Sequence, residues 1–178
     1  MSTPDALFGA FAVPKTYPYA LMGLAANFLL CQLFAPLFIK SARDSVFTKE
    51  HLSTFDGDHK NAFPDSEVAN GGHPDAGSGW YSKTLPLADW VKINSAQRVV
   101  LNYIEQMPQL IVFTCLSAIY FPEIAIGCVW GVFVGRIIYA IGYKKAPPAR
   151  VWGFLVISLC TLTMIVLSFW SCVYLLQN

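Results

Sequence analysis

The fold of this chain is decided by residues 95–120, which read SAQRVVLNYIEQMPQLIVFTCLSAIY. The segment is long and apolar enough to cross a bilayer, because a spanning helix needs about 20 mostly apolar residues. It nevertheless contains Arg98, Asn102 and Glu105, and Gln109 follows. At about 100° per residue, steps of four and seven keep these side chains on one helical face. A charge at membrane depth costs roughly 2.5–3.5 kcal/mol, so this face predicts either a polar ligand site or a structural Arg–Glu pair between helices.

The composition of the whole chain is that of a membrane protein. Hydrophobic residues make up 55% of the 178 residues, charged residues only 13%, and the mean hydropathy is +0.48. The net charge is +1 and the basic residues are scattered, so nucleic acid is not expected as a partner. The five cysteines fall singly within apolar segments, which favours packing roles over disulfides.

Four apolar segments are each long enough to span a bilayer, at about 17–40, 95–120, 124–143 and 151–176. They predict an all-α fold, a transmembrane four-helix bundle that forms a single membrane domain over residues 1–178. Pro36 is expected to kink the first helix. Glycines spaced four apart on the third segment predict close packing against a neighbouring helix. These glycines are Gly127, Gly131 and Gly135.

The connection over residues 41–94 differs in kind from the four segments. It is polar, rich in Gly, Asp and Pro, and too long for an ordinary hairpin connection. Trp80, Tyr81 and Trp90 give its second half enough apolar surface to lie on the bilayer or against a neighbour. The spacing of Asp56 and His59 matches no strong metal template, so we expect a solvated loop and no metal.

The basic residues predict the topology. Lysines and arginines flank the first and third connections, whereas the opposite side has little beyond Lys15. The positive-inside rule therefore places both basic loops on the cytoplasmic side or its organellar equivalent, with both termini across the membrane. Residues 1–16 carry no pattern of a removable targeting segment, and the first spanning helix would serve as the insertion signal. The expected location is the endoplasmic reticulum or a mitochondrial membrane.

A second polar face lies on the third segment. Arg136, Tyr139 and Tyr143 are three and seven residues apart and so share one side of a helix. Arg150 follows the Pro-Pro turn at the mouth of the fourth segment. With the polar face of the second segment, these residues form a polar constellation near one membrane surface.

Two runs of this constellation resemble the family of membrane-associated proteins in eicosanoid and glutathione metabolism (MAPEG), which includes the microsomal glutathione transferases. Residues 98–105 are similar to the family's R-x-x-x-N-x-x-E signature, and residues 135–150 to its G-R-x-x-Y-x-x-G-Y-x₆-R element. The segment Ser41-Ala42-Arg43 resembles the basic end of the family's first helix. The match is closest to the third microsomal transferase type.

The resemblance implies a trimer of four-helix bundles in which glutathione is held between neighbouring subunits. It implies a glutathione transferase or glutathione-dependent lipid peroxidase, with an apolar electrophile or lipid hydroperoxide arriving from the lipid side. Arg150 would lie near the sulfur as the catalytic residue, since a guanidinium favours the nucleophilic thiolate of a thiol whose ordinary pKa is about 8.5. The residues implied in glutathione binding are Arg43, Arg98, Asn102, Glu105, Arg136, Tyr139 and Tyr143.

The chain departs from the family pattern in two places. Val99, Val100 and Gln106 stand where the family often has polar residues or a tyrosine, and the 41–94 connection is longer than usual. Three hypotheses follow: an enzyme, a non-catalytic lipid-presenting module, and a structural subunit of a larger membrane complex. The complete set of polar residues favours the enzyme, because a purely structural bundle needs none of them at membrane depth.

Overall fold

Four long helices dominate the computed structural model, which describes residues 13–177. They are α1 (Tyr17–Phe34), α5 (Leu87–Tyr120), α6 (Pro122–Lys145) and α7 (Val151–Gln177). Each is long and apolar enough to cross a membrane, with α1 counted together with its continuation to Val46. The predicted all-α transmembrane four-helix bundle is therefore confirmed. The expectation about a targeting segment falls mostly on residues 1–12, outside the described residues.

The first helix changes its winding where the sequence predicts a kink. A π-helical turn over Ala35–Lys40 follows α1 and leads directly into α2 (Ser41–Val46). Pro36 lies at the start of this turn and has no backbone N–H to donate, which favours a local widening of the helix. The helical backbone thus extends past Lys40, where the sequence predicted its end.

The connection between α2 and α5 is a folded unit with short helices. It contains α3 (Lys49–Ser53), α4 (Asp56–Ala62) and a 3₁₀ turn at Asn70–Gly72, and α5 begins at Leu87 rather than near 95. A small apolar cluster ties the unit to the bundle. Its buried members are Val46, Phe47, Leu52 and Ile93, with Val68, Tyr81 and Leu85 packed against them.

Glycines allow α6 and α7 to pack closely. A Cβ on Gly153 would lie 2.3 Å from the backbone nitrogen of Tyr139, and one on Gly135 would lie 2.9 Å from the side chain of Ile157. In the predicted glycine run, Gly131 likewise meets Cys160, whereas a Cβ on Gly127 would meet nothing within 4 Å. This close contact fixes the backbone that carries Tyr139.

The outer surface of the bundle is apolar. Leu29 is 64% exposed, Phe169 69% and Trp152 72%, although all three lie in the long helices. Such a surface is compatible with lipid rather than water. The protein is a multi-pass integral membrane protein.

Candidate anion-binding site

A polar cavity of about 540 Å³ lies between α5, α6 and the beginning of α7. Apolar side chains close one side, including Phe154 and Ile157. Three arginines line the cavity, and no acidic residue is among the lining residues in the described part of the chain. Its polar lining residues are Arg98, Asn102, Gln106, Arg136, Tyr139, Tyr143 and Arg150.

Arg136 is the most deeply buried of the three arginines, with 3% of its surface exposed. Its Nη2 donates to Oε1 of Gln106 at 2.5 Å, and its Cζ lies 4.4 Å from the ring centroid of Tyr103. Its Nε is buried and has no hydrogen-bond partner among the described residues. The groups that hold Arg136 are neutral, so the positive charge faces the cavity without a compensating carboxylate beside it.

A buried chain of hydrogen bonds lies behind Arg136. The hydroxyl of Tyr103 donates to Oδ1 of Asn27 at 2.7 Å. Asn27 Nδ2 in turn donates to the carbonyls of Gly23 and Val129, at 2.9 and 3.0 Å. Asn27 and Tyr103 are both 0% exposed. This chain joins α1, α5 and α6 and fixes the aromatic ring on which the Arg136 guanidinium rests.

The two predicted tyrosines form one wall of the cavity. Their rings meet edge to face, with centroids 5.3 Å apart. Asn102 Nδ2 donates to the hydroxyl of Tyr139 at 2.5 Å, and Arg150 Nη1 donates to the hydroxyl of Tyr143. The structure thus brings together Asn102, Arg136, Tyr139, Tyr143 and Arg150, which come from two separate sequence motifs.

Only some of the polar residues on the predicted face of α5 line the cavity. Arg98 is exposed and lines the cavity, whereas Glu105 is exposed and lies outside the lining. Within residues 13–177, the side chain of Arg98 forms no ion pair with Glu105 and no hydrogen bond. The structural Arg–Glu pair considered from the sequence is therefore not formed within this chain. Gln109 is also exposed and outside the cavity lining.

Arg43 lies at the junction of α2 and the connecting unit, and its implied role in glutathione binding stays a prediction. It is only 6% exposed, does not line the polar cavity, and its Nη1 donates to the backbone carbonyl of Asp75 in the connecting unit. Its Cζ lies 5.4 Å from the ring centroid of Phe47. Within this chain Arg43 therefore fastens the connecting unit to the end of α2.

Asp75 organises the turn that Arg43 contacts. Its Oδ1 accepts hydrogen bonds from the backbone nitrogens of Gly77 and Gly79 and from the hydroxyl of Ser82, each at 2.8 Å. Its Oδ2 accepts from the backbone nitrogen of Ser82 at 2.7 Å. Burial alone would raise the pKa of Asp75, but the bonds from Gly79, Ser82 and Gly77 outweigh it and hold the pKa below its ordinary value. The ionised carboxylate of Asp75 thus stabilises this turn.

Sequence reasoning missed three residues that support the site, namely Asn27, Tyr103 and Gln106. Asn27 lies in the middle of an apolar spanning segment, and an amide at that depth is itself a signal of function or helix pairing. Gln106 was noted only as a departure from a pattern, yet it is the hydrogen-bond acceptor for Arg136. Tyr103 gives no signal in the sequence, because a tyrosine in an apolar helix is ordinary.

The cavity is suited to a small ligand with several negative groups. Arginine forks bind carboxylates with paired hydrogen bonds, and tyrosine hydroxyls supply further donors. The class defined by fold and site is thus a helical membrane protein with an arginine-lined cavity at one end of the bundle. The model of the MAPEG family matches residues 59–170, more than half of the chain, and the chain belongs to this family. No solved structure matches the chain.

Proposed function

We propose that the protein is a membrane-bound glutathione transferase or glutathione-dependent lipid peroxidase. The proposal is supported chiefly by the cavity of about 540 Å³ with three arginines and no acidic lining residue within the described chain. Membership of a family that includes such enzymes points the same way. The resemblance to the third microsomal transferase type is part of the proposal.

Glutathione carries two carboxylates, one ammonium and one thiol. In the proposed binding mode Arg98 and Arg136 bind the carboxylates, with Asn102 and Tyr139 as further polar contacts. Two forks for two carboxylates agree with the bidentate geometry that arginine prefers. The neutral partners of Arg136 leave its charge available to such an anion.

Arg150 is the proposed catalytic residue. It directly precedes α7, lines the cavity and donates to the hydroxyl of Tyr143, so its charge is held at the cavity wall. A guanidinium near the sulfur favours the thiolate over the thiol. The thiolate would then form a C–S bond with an apolar electrophile from the surrounding lipid, by addition or by displacement of its leaving group. With a lipid hydroperoxide, the thiolate would attack the distal oxygen and break the O–O bond, which releases the lipid alcohol after protonation. The glutathione sulfenic acid would then react with a second glutathione to give the disulfide and water.

A homotrimer is the proposed assembly. Glu105 is exposed on a membrane-spanning helix, where an unpartnered carboxylate costs roughly 2.5 kcal/mol or more. A neighbouring subunit at this surface would remove that cost and bring Glu105 toward the ammonium group of glutathione. A neighbouring subunit at this surface would also supply the side chains of Arg98 and Glu105 with the partners that they lack within residues 13–177.

A second candidate function is that of a non-catalytic subunit in a larger membrane complex. The observation that favours it is the engagement of Arg43, a residue the family resemblance assigned to glutathione, by Asp75 of the long connecting unit. Sizing of the protein extracted from its native membrane with a mild detergent separates the two assemblies. A particle much larger than a trimer, without thiolate formation, favours the subunit.

The spectroscopic test of the enzyme uses the ultraviolet absorbance of the glutathione thiolate across pH. Bound to the wild type, the thiol should ionise well below its ordinary pKa of about 8.5. Arg150→Ala should return the ionisation toward that value and lower turnover at neutral pH, while glutathione still binds. Lys145→Ala, which removes a nearby charge outside the cavity lining, is the matched control and should leave the thiolate spectrum unchanged. An ordinary thiol pKa in the saturated wild type would rule out the proposed chemistry.

A further inference from the structure

A second groove, of about 340 Å³, opens between the ends of three helices on the basic side of the bundle. Its walls come from the end of the α1–α2 helix, the beginning of α5 and the end of α6. Leu37, Ser41, Ser95 and Lys144 mark its limits. Since these segments are where the spanning helices leave the apolar region, the groove lies at the depth of lipid headgroups.

All the charged residues that line the groove within the described chain are positive. Lys92, Lys144 and Lys145 line it, all three are exposed, and the lining residues within the described chain include no aspartate or glutamate. None of their ammonium groups forms a hydrogen bond or an ion pair within residues 13–177. The three ammonium groups therefore present an uncompensated positive surface to whatever enters the groove.

The floor of the groove is apolar. Leu37 and Phe38 contribute from the first helix, and Val91 and Val99 from α5. Leu37 is 62% exposed, so this floor is accessible from the lipid side. The groove thus combines a hydrocarbon surface with a basic rim, which matches the two parts of a phospholipid.

We propose that this groove binds an anionic phospholipid, with the phosphate at the three lysines and one acyl chain along Leu37 and Phe38. Lysine is a compact point charge that suits a phosphate, whereas the paired recognition of carboxylates calls for the arginines of the other cavity. Basic grooves between spanning helices on the cytoplasmic or matrix side bind anionic headgroups in this way. The proposal does not depend on glutathione binding, although Tyr143 lines both cavities.

The test measures lipid binding to the purified full-length protein in detergent. The probes are phosphatidylglycerol and phosphatidylcholine with identical acyl chains, and the readout is the fraction of protein with bound lipid in native mass spectrometry. Phosphatidylglycerol should bind to the wild type more tightly than phosphatidylcholine. The triple variant K92A/K144A/K145A should lose about a hundredfold in affinity for phosphatidylglycerol, at roughly fivefold per lysine.

Two controls make the result specific to the groove. K49A/K60A/K83A removes the same charge from the connecting unit and should retain binding. Ala88→Phe fills the groove without altering charge, and it should reduce binding of both phospholipids while the protein stays folded. Inorganic phosphate should not compete at concentrations comparable with the lipid, because it gains nothing from the apolar floor.

Three results would overturn the proposal. Equal binding of the two phospholipids to the wild type would remove the anionic preference. Equal losses in the two triple variants would show a general charge effect. Full competition by inorganic phosphate would show an ion site without a place for the acyl chain.

Discussion

The membrane bundle and its junction with the connecting unit each bury one arginine, and the two arginines differ in the charges around them. Arg136, 3% exposed, is held by the amide of Gln106 and the ring of Tyr103 and lines an open polar cavity. Arg43, 6% exposed, donates to the carbonyl of Asp75, whose buried carboxylate lies in the same turn. Both guanidinium groups donate to a neutral oxygen, but Arg136 lines the arginine-rich cavity, whereas Arg43 lies outside it and is influenced by the charges of Asp75 and Asp44. The residue type alone therefore does not distinguish a binding arginine from a structural one.

The largest change we expect follows from inserting a side chain where α6 and α7 pack closely. Gly153→Ala places a methyl group 2.3 Å from the backbone nitrogen of Tyr139, so the helices must separate. Overpacking of this kind costs about 1–3 kcal/mol, and the shift of Tyr139 should also weaken ligand binding. Thermal unfolding in detergent measures the loss of stability.

The matched control for that variant is Gly127→Ala, because a Cβ there meets nothing within 4 Å. It should leave the unfolding temperature unchanged or slightly raised, since alanine favours a helix. Equal effects of the two substitutions would show that the close contact between α6 and α7 does not fix the site.

A smaller effect should follow from cutting the hydrogen-bond chain behind Arg136. Tyr103→Phe removes the donor to Asn27 and keeps the ring under the guanidinium, so the cost should be about 1 kcal/mol. Tyr19→Phe, at a 56% exposed position, is the control and should cost nothing. If Tyr103→Phe loosened the connecting unit instead of the bundle, as judged by proteolysis, the two regions would not be independent.

The smallest effect is confined to the connecting unit and depends on pH. The pKa of Asp75 is lower in the folded protein than its ordinary value of about 4. The ionised carboxylate therefore contributes its full stabilisation above about pH 4. This stabilisation is lost as the pH falls through the lower pKa of the folded state. Limited proteolysis should report loosening of the unit, as faster cleavage within it, below about pH 4. Asp75→Asn should loosen the unit already at neutral pH.

Asp65→Asn is the control for this pH dependence, because Asp65 is an exposed carboxylate in the same unit. It should leave the acid transition as in the wild type. An unaltered acid transition in Asp75→Asn would contradict the role given to Asp75.

The sequence predicted the bundle well because hydropathy and helix length suffice to find spanning segments. Helical spacing placed Asn102 and Arg136 each on a polar face of its own helix, and the family resemblance implied that they belong to one site. The hydrogen bond from Arg43 to the backbone carbonyl of Asp75 was not predictable, because it depends on a turn that lies 32 residues further along the chain. The sequence also did not predict that Arg98 lines the cavity while Glu105 lies outside it. Two residues on one helical face can have different surroundings, because these depend on how the neighbouring helices pack.

We propose that the arginine-lined cavity binds glutathione and that this binding does not depend on the turn that the Asp75 side chain builds. Calorimetric titration of glutathione into the wild type, Arg98→Ala and Asp75→Asn tests it most directly. The account predicts binding to the wild type and a ten- to hundredfold weaker affinity in Arg98→Ala, since a hydrogen bond to a charged group contributes about 1.5–3 kcal/mol. It predicts an affinity within about twofold of the wild type for Asp75→Asn. No binding to the wild type at millimolar glutathione, or an equal loss in both variants, would contradict it.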